Sequence, residues 1–129
     1  MLAKWLSDDL RRIGSADELE IAVQRADGTR RRWLPIWAVC VGEQVYVRTW
    51  YRRDTGWFAQ VLDSRRAGIR VPGLAATVAV EDVGAGPAGL RAEIDTAYRA
   101  KYGHYGSSAV GPMVADAAAA TTLRLSPER

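Results

Sequence analysis

The stretch of residues 33–50, WLPIWAVCVGEQVYVRTW, contains two apolar segments separated by a short polar break. β-Branched and aromatic residues fill both segments, a composition that is typical of strands. The break, Gly42-Glu43-Gln44, has the length of a hairpin loop. We therefore predict two central antiparallel strands, over about 31–41 and 44–50, that are buried on most of their surface.

Further strands are predicted on both sides of this hairpin. Alternating apolar residues predict a strand over about 19–26, and Asp27-Gly28 predicts the turn that joins it to the central pair. Pro72-Gly73 has the residue types that a type II turn requires. The remaining strands are predicted at about 68–71, 74–81 and 120–126.

Helical spacing of apolar residues predicts three helices, at about 2–13, 57–64 and 90–102. The first is too short to be stable alone and must dock through Trp5. Residues 104–118 are predicted to be irregular, with a helical turn in the alanine run. Together these elements predict an α+β fold with a small, closed or nearly closed antiparallel barrel of six strands, which would leave few exposed edges.

Length and composition favour one domain that spans residues 1–129, since 48% of the residues are hydrophobic and 26% are charged. No apolar run is long enough to cross a bilayer, and Asp8 and Asp9 interrupt the N-terminal segment, so we expect neither membrane association nor a secretory signal. The single cysteine, Cys40, excludes an intrachain disulfide and is expected to be a core side chain. A reducing cytoplasm fits this composition.

The net charge of +3 is concentrated around the central hairpin. Residues 24–66 carry nine basic and four acidic groups, whereas residues 1–23 carry three and five and residues 67–129 carry six of each. This distribution favours a local anionic ligand group over a nucleic-acid-binding surface. We therefore expect a small ligand and no nucleic-acid partner.

Arginines near the end of the hairpin are candidate anion ligands. Arg48, Arg52 and Arg53 could bind a phosphate, assisted by N–H groups at a helix start near residue 56. Arg32 could reach the same anion. The alternative is a solvated loop and a solvated hairpin end, in which the arginines bind no ligand.

Aromatic residues supply the other candidates, because the chain has five tryptophans. Trp37 and Trp57 are the foremost candidates to stack on a planar ring, although aromatic residues in strands more often pack in the core. The only histidine, His104, and the nearby Tyr102 are weak candidates for a general acid, and a surface histidine is the alternative. No metal-binding or hydrolase motif is present, so we expect no metal, and the catalytic residue is left unassigned.

Several short motifs together resemble a bacterial family catalogued as domain of unknown function number 2255. They span nearly the whole chain and are Pro35-Ile36-Trp37, Tyr46-Val47-Arg48, Trp57, Ile94-Asp95, Ala97-Tyr98, Lys101-Tyr102-Gly103 and Thr121-Thr122-Leu123. Mainly over residues 19–82, the order of elements also resembles the FMN-binding split barrels, in particular their deazaflavin-dependent nitroreductase and quinone-reductase branch. The loop 51–55 departs from that branch, which tends to carry a Lys or His there, and Gln60 occupies the position of its Asn.

The broader resemblance implies a split barrel that forms a homodimer and holds FMN or a deazaflavin coenzyme in a groove at the barrel end. It implies that Pro35, Ile36 and Trp37 line the flavin-like ring and that basic residues hold the acidic tail. The full set of implied cofactor-binding residues is Arg32, Pro35, Ile36, Trp37, Arg48, Thr49, Arg52, Arg53 and Trp57.

The leading functional hypothesis is a flavin- or deazaflavin-dependent oxidoreductase that acts on small planar apolar substrates such as quinones, nitro compounds or enones. Such an enzyme needs few catalytic side chains, because the cofactor carries the hydride chemistry. The alternative is a cofactor-independent enzyme or binding protein that holds a hydrophobic metabolite on the same barrel.

Overall fold

A computed structural model describes residues 4–49 and 56–128 of the chain. The elements of these residues, in chain order, are α1 (Ser7–Ser15), β1 (Leu19–Val23), β2 (Leu34–Ile36), β3 (Ala38–Val41), β4 (Gln44–Val47), α2 (Gly56–Ser64), β5 (Arg66–Val71), β6 (Leu74–Asp82), α3 (Ala88–Tyr102), a 3₁₀ helix (Gly103–Tyr105), α4 (Ser107–Val114), α5 (Asp116–Ala119) and β7 (Leu123–Pro127). None of these helices is both long and apolar enough to cross a bilayer.

The seven strands form one antiparallel sheet in the order β2-β1-β5-β6-β7-β4-β3. Its two edge strands, β2 and β3, are consecutive in the chain and are separated only by Trp37. The sheet therefore curls until its two ends meet at this residue, which makes a nearly closed barrel with a split between β2 and β3. The α+β split-barrel fold predicted from the sequence is confirmed.

The barrel has seven strands and not the predicted six, because the strand predicted over 31–41 divides at Trp37. On one side of this residue, β2 pairs with β1, and Leu19 lies opposite Ile36. On the other side, β3 pairs with β4, and Ala38 lies opposite Val47. The chain changes partner here, so a single continuous strand is not possible. The other predicted strands are present, with ends shifted by at most three residues.

The first helix is shorter than the predicted 2–13, because α1 begins only at Ser7. The Asp9 carboxylate accepts a hydrogen bond from the Leu6 N–H at 3.3 Å, which caps the start of the helix. Trp5 precedes the helix, is buried, and donates its indole N–H to the Leu125 carbonyl at 2.9 Å. The helix start is therefore anchored on β7 through Trp5, the residue predicted to dock it.

Both faces of the central β3–β4 hairpin are buried, as predicted. Ala38, Val45 and Val47 belong to the core inside the barrel. Val39 and Tyr46 point the other way, because successive residues of a strand alternate between faces. They join a second apolar cluster against α3 and α4, whose other buried members are Ile94, Tyr98, Tyr102, Val110 and Met113.

Side chains of α3 occupy the free edge of β3. The Lys101 ammonium donates to the carbonyls of Ala38 at 2.7 Å and Ile13 at 3.1 Å. The Tyr102 hydroxyl accepts the Ala38 N–H and donates to the Ala38 carbonyl, both at 3.2 Å. Backbone groups that could otherwise pair with another chain are thus satisfied at this position.

Helix α4 lies in the region that the sequence predicted to be irregular. It contains Gly111 and Pro112, which both disfavour a helix interior. Val110 and Met113 are nevertheless buried against α3. Tertiary packing therefore outweighs the local propensity here. The alanine run forms α5, so the predicted helical turn is present.

Cys40 is half-buried on β3, with its sulfur 3.7 Å from the Leu10 carbonyl of α1. Burial raises the pKa of its thiol, so the thiolate that reacts with alkylating agents is scarcer than in a free cysteine. We expect iodoacetamide to modify folded protein more slowly than urea-unfolded protein at pH 8, and the rate of the folded protein to rise at a higher pH. Mass spectrometry of timed samples measures both rates, and equal rates would contradict a buried thiol.

Candidate ligand cavity

A cavity of about 530 Å³ lies beside the split in the barrel. Its size falls within the range of roughly 300 to 1,000 Å³ that is usual for small-molecule sites. The wall is mainly apolar and is formed by residues next to β1, on and after β2, after β4, and on α2 and α4. These residues are Glu18, Pro35, Ile36, Trp37, Arg48, Thr49, Trp57, Ser108, Ala109, Pro112 and Met113.

Most residues of the predicted cofactor site come together in this wall. The residues that do so are Pro35, Ile36, Trp37, Arg48, Thr49 and Trp57. They meet because the chain changes partner at Trp37, which brings the ends of β2 and β4 to the same end of the barrel. Arg32 is exposed and is not part of the wall. Arg52 and Arg53 lie outside the described residues, so their predicted role stays a prediction.

Trp37 forms an aromatic wall that is supported from behind. Its indole stacks on the Tyr102 ring, with 4.1 Å between the ring centroids and an interplanar angle of 4°. Tyr105 is a second stacking partner at 5.5 Å. Trp37 lines the cavity, whereas Tyr102 and Tyr105 do not. A ring that entered would therefore meet an indole whose orientation is already held in place.

Trp57 contributes a second indole from the first turn of α2. It contacts Phe58 edge-to-face, with 5.9 Å between centroids and an angle of 82°. Phe58 itself is fully buried in the barrel core, so it holds Trp57 in position. Trp33, by contrast, lies under the Arg70 guanidinium at 4.1 Å and does not line the cavity.

Arg48 reaches the cavity wall, but its side chain is enclosed, with no exposed surface. Its Nη1 donates to Asp95 at 2.6 Å and to the Met113 carbonyl at 3.0 Å, and its Nε donates to Thr122 at 2.9 Å. Its Nη2 is buried and has no hydrogen-bond partner within residues 4–49 and 56–128. Arg48, which directly follows β4, is thus tied to α3, to α4 and to the residue that precedes β7, and the predicted contact with an anion would require the wall to move.

The two weak catalytic candidates lie outside the cavity wall. His104 is exposed on the 3₁₀ helix, where its ring contacts Tyr105 at 4.2 Å. Tyr102 is fully buried, and its hydroxyl is occupied by the backbone of Ala38. Burial raises the pKa of Tyr102 far above its ordinary value, so the hydroxyl stays protonated at neutral pH. Their geometry gives no support to a catalytic role.

Five lining residues were not predicted from the sequence: Glu18, Ser108, Ala109, Pro112 and Met113. Four of them lie on α4, whose helical character was missed. The four-residue spacing of Ala109 and Met113 is the pattern that could have revealed a shared helical face. Glu18 directly precedes β1, and only the pairing of β1 with β2 brings it to Trp37.

A known family model covers most of this chain. The family model described as "Uncharacterized protein conserved in bacteria (DUF2255)" matches residues 9–125. This chain belongs to the DUF2255 family. The family resemblance predicted from the sequence motifs is therefore confirmed. No curated protein matches this DUF2255 chain.

Solved structures share the fold of this DUF2255 protein. One is the conserved hypothetical protein Rv2991 from Mycobacterium tuberculosis, with 11% identity and a TM-score of 0.65 over 99% of this chain and 83% of that chain. Another is a putative 5-nitroimidazole antibiotic resistance protein from Bacteroides thetaiotaomicron VPI-5482, with 11% identity and a TM-score of 0.61 over 98% of this chain and 81% of that chain. At this identity the likeness concerns the fold alone.

The wall of the cavity fits a flat ring better than it fits a charged tail. Trp37, Trp57 and Pro35 offer apolar surfaces of the kind that line planar ligands. Of the described residues, the only lining cation is Arg48, which is enclosed and paired with Asp95. Within the described residues, no group of three or more His, Cys, Asp or Glu side chains lies close enough together to bind a metal ion.

Proposed function

We propose that this DUF2255 protein binds the ring of FMN or a deazaflavin coenzyme and acts as an oxidoreductase on small planar apolar substrates, such as quinones, nitro compounds or enones. The observation that carries the proposal is the cavity, in which Trp37 and Trp57 face the same space. Trp37 directly follows β2, whereas Trp57 lies in the first turn of α2, and the fold brings both to one wall. Such a wall suits a flat aromatic ligand.

Each part of the wall would have its own role in binding the coenzyme ring. Trp37, held by Tyr102, orients the ring by stacking, and Trp57 provides a second aromatic contact. Pro35, Ile36 and Met113 would exclude water from the ring. The bound coenzyme would supply the hydride chemistry, so the protein needs to orient the ring and keep its surroundings dry.

The structural likeness gives additional support to the substrate class. The Bacteroides protein with the same fold is named as a putative 5-nitroimidazole antibiotic resistance protein. Its name concerns a small planar nitro compound, which belongs to the substrate range proposed here.

From the split-barrel resemblance, we also propose that the protein is a cytoplasmic homodimer. Sedimentation equilibrium of the purified protein measures its oligomeric state.

A second candidate function is favoured by one observation. Arg48, the only cation in the described wall, is already neutralised by Asp95, so this part of the wall offers no free positive charge to a phosphate. A neutral hydrophobic metabolite would fit the same cavity without that requirement. The protein would then be a cofactor-independent enzyme or binding protein.

An absorbance spectrum of the purified protein, followed by titration with FMN and with a deazaflavin, tests the proposal. We expect quenching of ring fluorescence on binding, and Trp37→Leu and Trp57→Leu to weaken affinity by roughly tenfold. Trp33→Leu is the matched control, because Trp33 lies outside the cavity wall and should leave affinity unchanged.

Two results would count against the proposal. If neither coenzyme binds while a neutral aromatic probe does, the cofactor-independent function is supported instead. If Trp33→Leu weakens coenzyme binding as much as Trp37→Leu, the ring does not occupy this cavity.

A further inference from the structure

We propose that Glu18 selects, among flat ring ligands of this cavity, those that carry an N–H donor at the ring edge, such as the imide N–H of a flavin or deazaflavin. This inference deepens the proposed function and rests on it. Glu18 is the only acidic residue among the described residues that line the cavity. It would act as a specificity-determining contact and not as a catalytic group.

Strand pairing brings Glu18 next to the aromatic wall. Leu19 of β1 lies opposite Ile36 of β2 in an antiparallel pair. Glu18 directly precedes Leu19 and Trp37 directly follows Ile36, so both residues adjoin this last pair of the ladder, and both line the cavity. A ring that stacks on Trp37 in this cavity would therefore lie near the Glu18 carboxylate.

The Glu18 carboxylate is available to a ligand. Within residues 4–49 and 56–128, it has no hydrogen-bond or ion-pair partner, and the residue is exposed. Its neighbour differs, because the Asp17 carboxylate already accepts a hydrogen bond from the Tyr105 hydroxyl. Of these two adjacent acids, the one that lines the cavity is the one without a partner among the described residues.

The charge at this end of the cavity favours a donor. Burial is the main cause of the raised pKa of Tyr102, and the hydrogen bond to Asp17 is the main cause of the raised pKa of Tyr105; the negative charges of Asp17 and Glu18 add to both shifts. An ionised carboxylate can only accept hydrogen bonds. A ring with an N–H at its edge would gain a charge-assisted hydrogen bond to Glu18, whereas a ring without one would displace water from the carboxylate and offer no hydrogen bond in return.

Two ligands that differ only at the imide N–H test whether Glu18 recognises this donor. Lumiflavin has the imide N–H and no charged tail, and N3-methyl-lumiflavin has a methyl group in place of that hydrogen. We would measure the affinity of both by fluorescence quenching with the wild-type protein, Glu18→Ala, Glu18→Gln and the control Glu93→Gln. Glu93 is an exposed residue of α3 outside this cavity wall.

The wild-type protein and Glu93→Gln should bind lumiflavin about tenfold more tightly than the methylated probe. Glu18→Ala should lose this preference, and Glu18→Gln should keep part of it, because the amide oxygen still accepts a hydrogen bond. Circular dichroism of each variant checks that the fold is retained.

The possible affinities distinguish a failure of the Glu18 contact from a failure of ring binding. Equal affinity of the wild-type protein for both probes would overturn the role of Glu18 and leave ring binding intact. A preference that survives in Glu18→Ala would come from the size of the methyl group and would also overturn it. If the wild-type protein binds neither probe, the proposed function fails and the role of Glu18 fails with it.

Discussion

Replacing Asp95 with asparagine is expected to lower the free energy of unfolding by about 3 to 5 kcal/mol, because it removes one partner of an enclosed ion pair. The Arg48 side chain has no exposed surface, and that of Asp95 is only 13% exposed. Asparagine keeps the shape of the side chain but leaves the Arg48 charge without compensation and without access to water. Urea denaturation followed by circular dichroism measures the change.

A surface ion pair provides the matched control for this prediction. Glu20 and Arg70 are paired at 2.9 Å, but their side chains are 42% and 45% exposed. Glu20→Gln should therefore cost less than about 1 kcal/mol. The double variant Arg48→Met with Asp95→Leu should recover much of the loss, because it removes both charges together. A loss for Asp95→Asn no larger than that for Glu20→Gln would contradict the structural role of Arg48.

Replacing Tyr102 with alanine is expected to lower the free energy of unfolding by about 3 to 5 kcal/mol, as is usual for a large aromatic side chain removed from a core. Tyr102 is fully buried, stacks on Trp37, and bonds both backbone groups of Ala38. Its loss would leave a cavity between α3 and β3 and an unpaired N–H at the edge of the sheet. Urea denaturation measures the loss of stability.

Tyr102→Phe separates packing from hydrogen bonding at the same position. It keeps the stacked ring and removes only the hydroxyl, so we expect a loss of about 1 to 3 kcal/mol from the unpaired Ala38 N–H. Because the ring still supports Trp37, this variant should retain the intrinsic fluorescence of the folded protein and its affinity for a flat ligand. Equal losses of stability in the two variants would show that the ring contributes little beyond its hydroxyl.

The positions of most strands and helices follow from local patterns in the sequence. Alternation of apolar residues locates β1, and the apolar composition around Gly42 locates β3 and β4. At Pro72-Gly73 the predicted turn is present, and Gly73 has the positive φ, +83°, that such a turn requires at this position. These features depend on neighbouring residues only, so the sequence is sufficient to predict them.

The candidate site could be predicted only in part. Trp37 and Trp57 were recognised because aromatic residues near strand ends and helix starts are typical of ligand sites. The wall from α4 was missed, because Gly111 and Pro112 suggest an irregular segment and the burial of Met113 against α3 is not visible in the local pattern. The place of Glu18 in the wall was missed for the same reason, since it depends on the pairing of β1 with β2.

By itself, the sequence determined the family, the α+β class and the approximate elements, because periodicity, turn residues and motifs are local properties of the chain. The tertiary structure decided where the barrel splits and what Arg48 does. The apolar run around Trp37 is continuous, and it divides only because its two halves pair with β1 and β4 at opposite ends of the sheet. Arg48 resembles a ligand-binding arginine until folding brings Asp95, distant in the chain, within 2.6 Å and neutralises its charge.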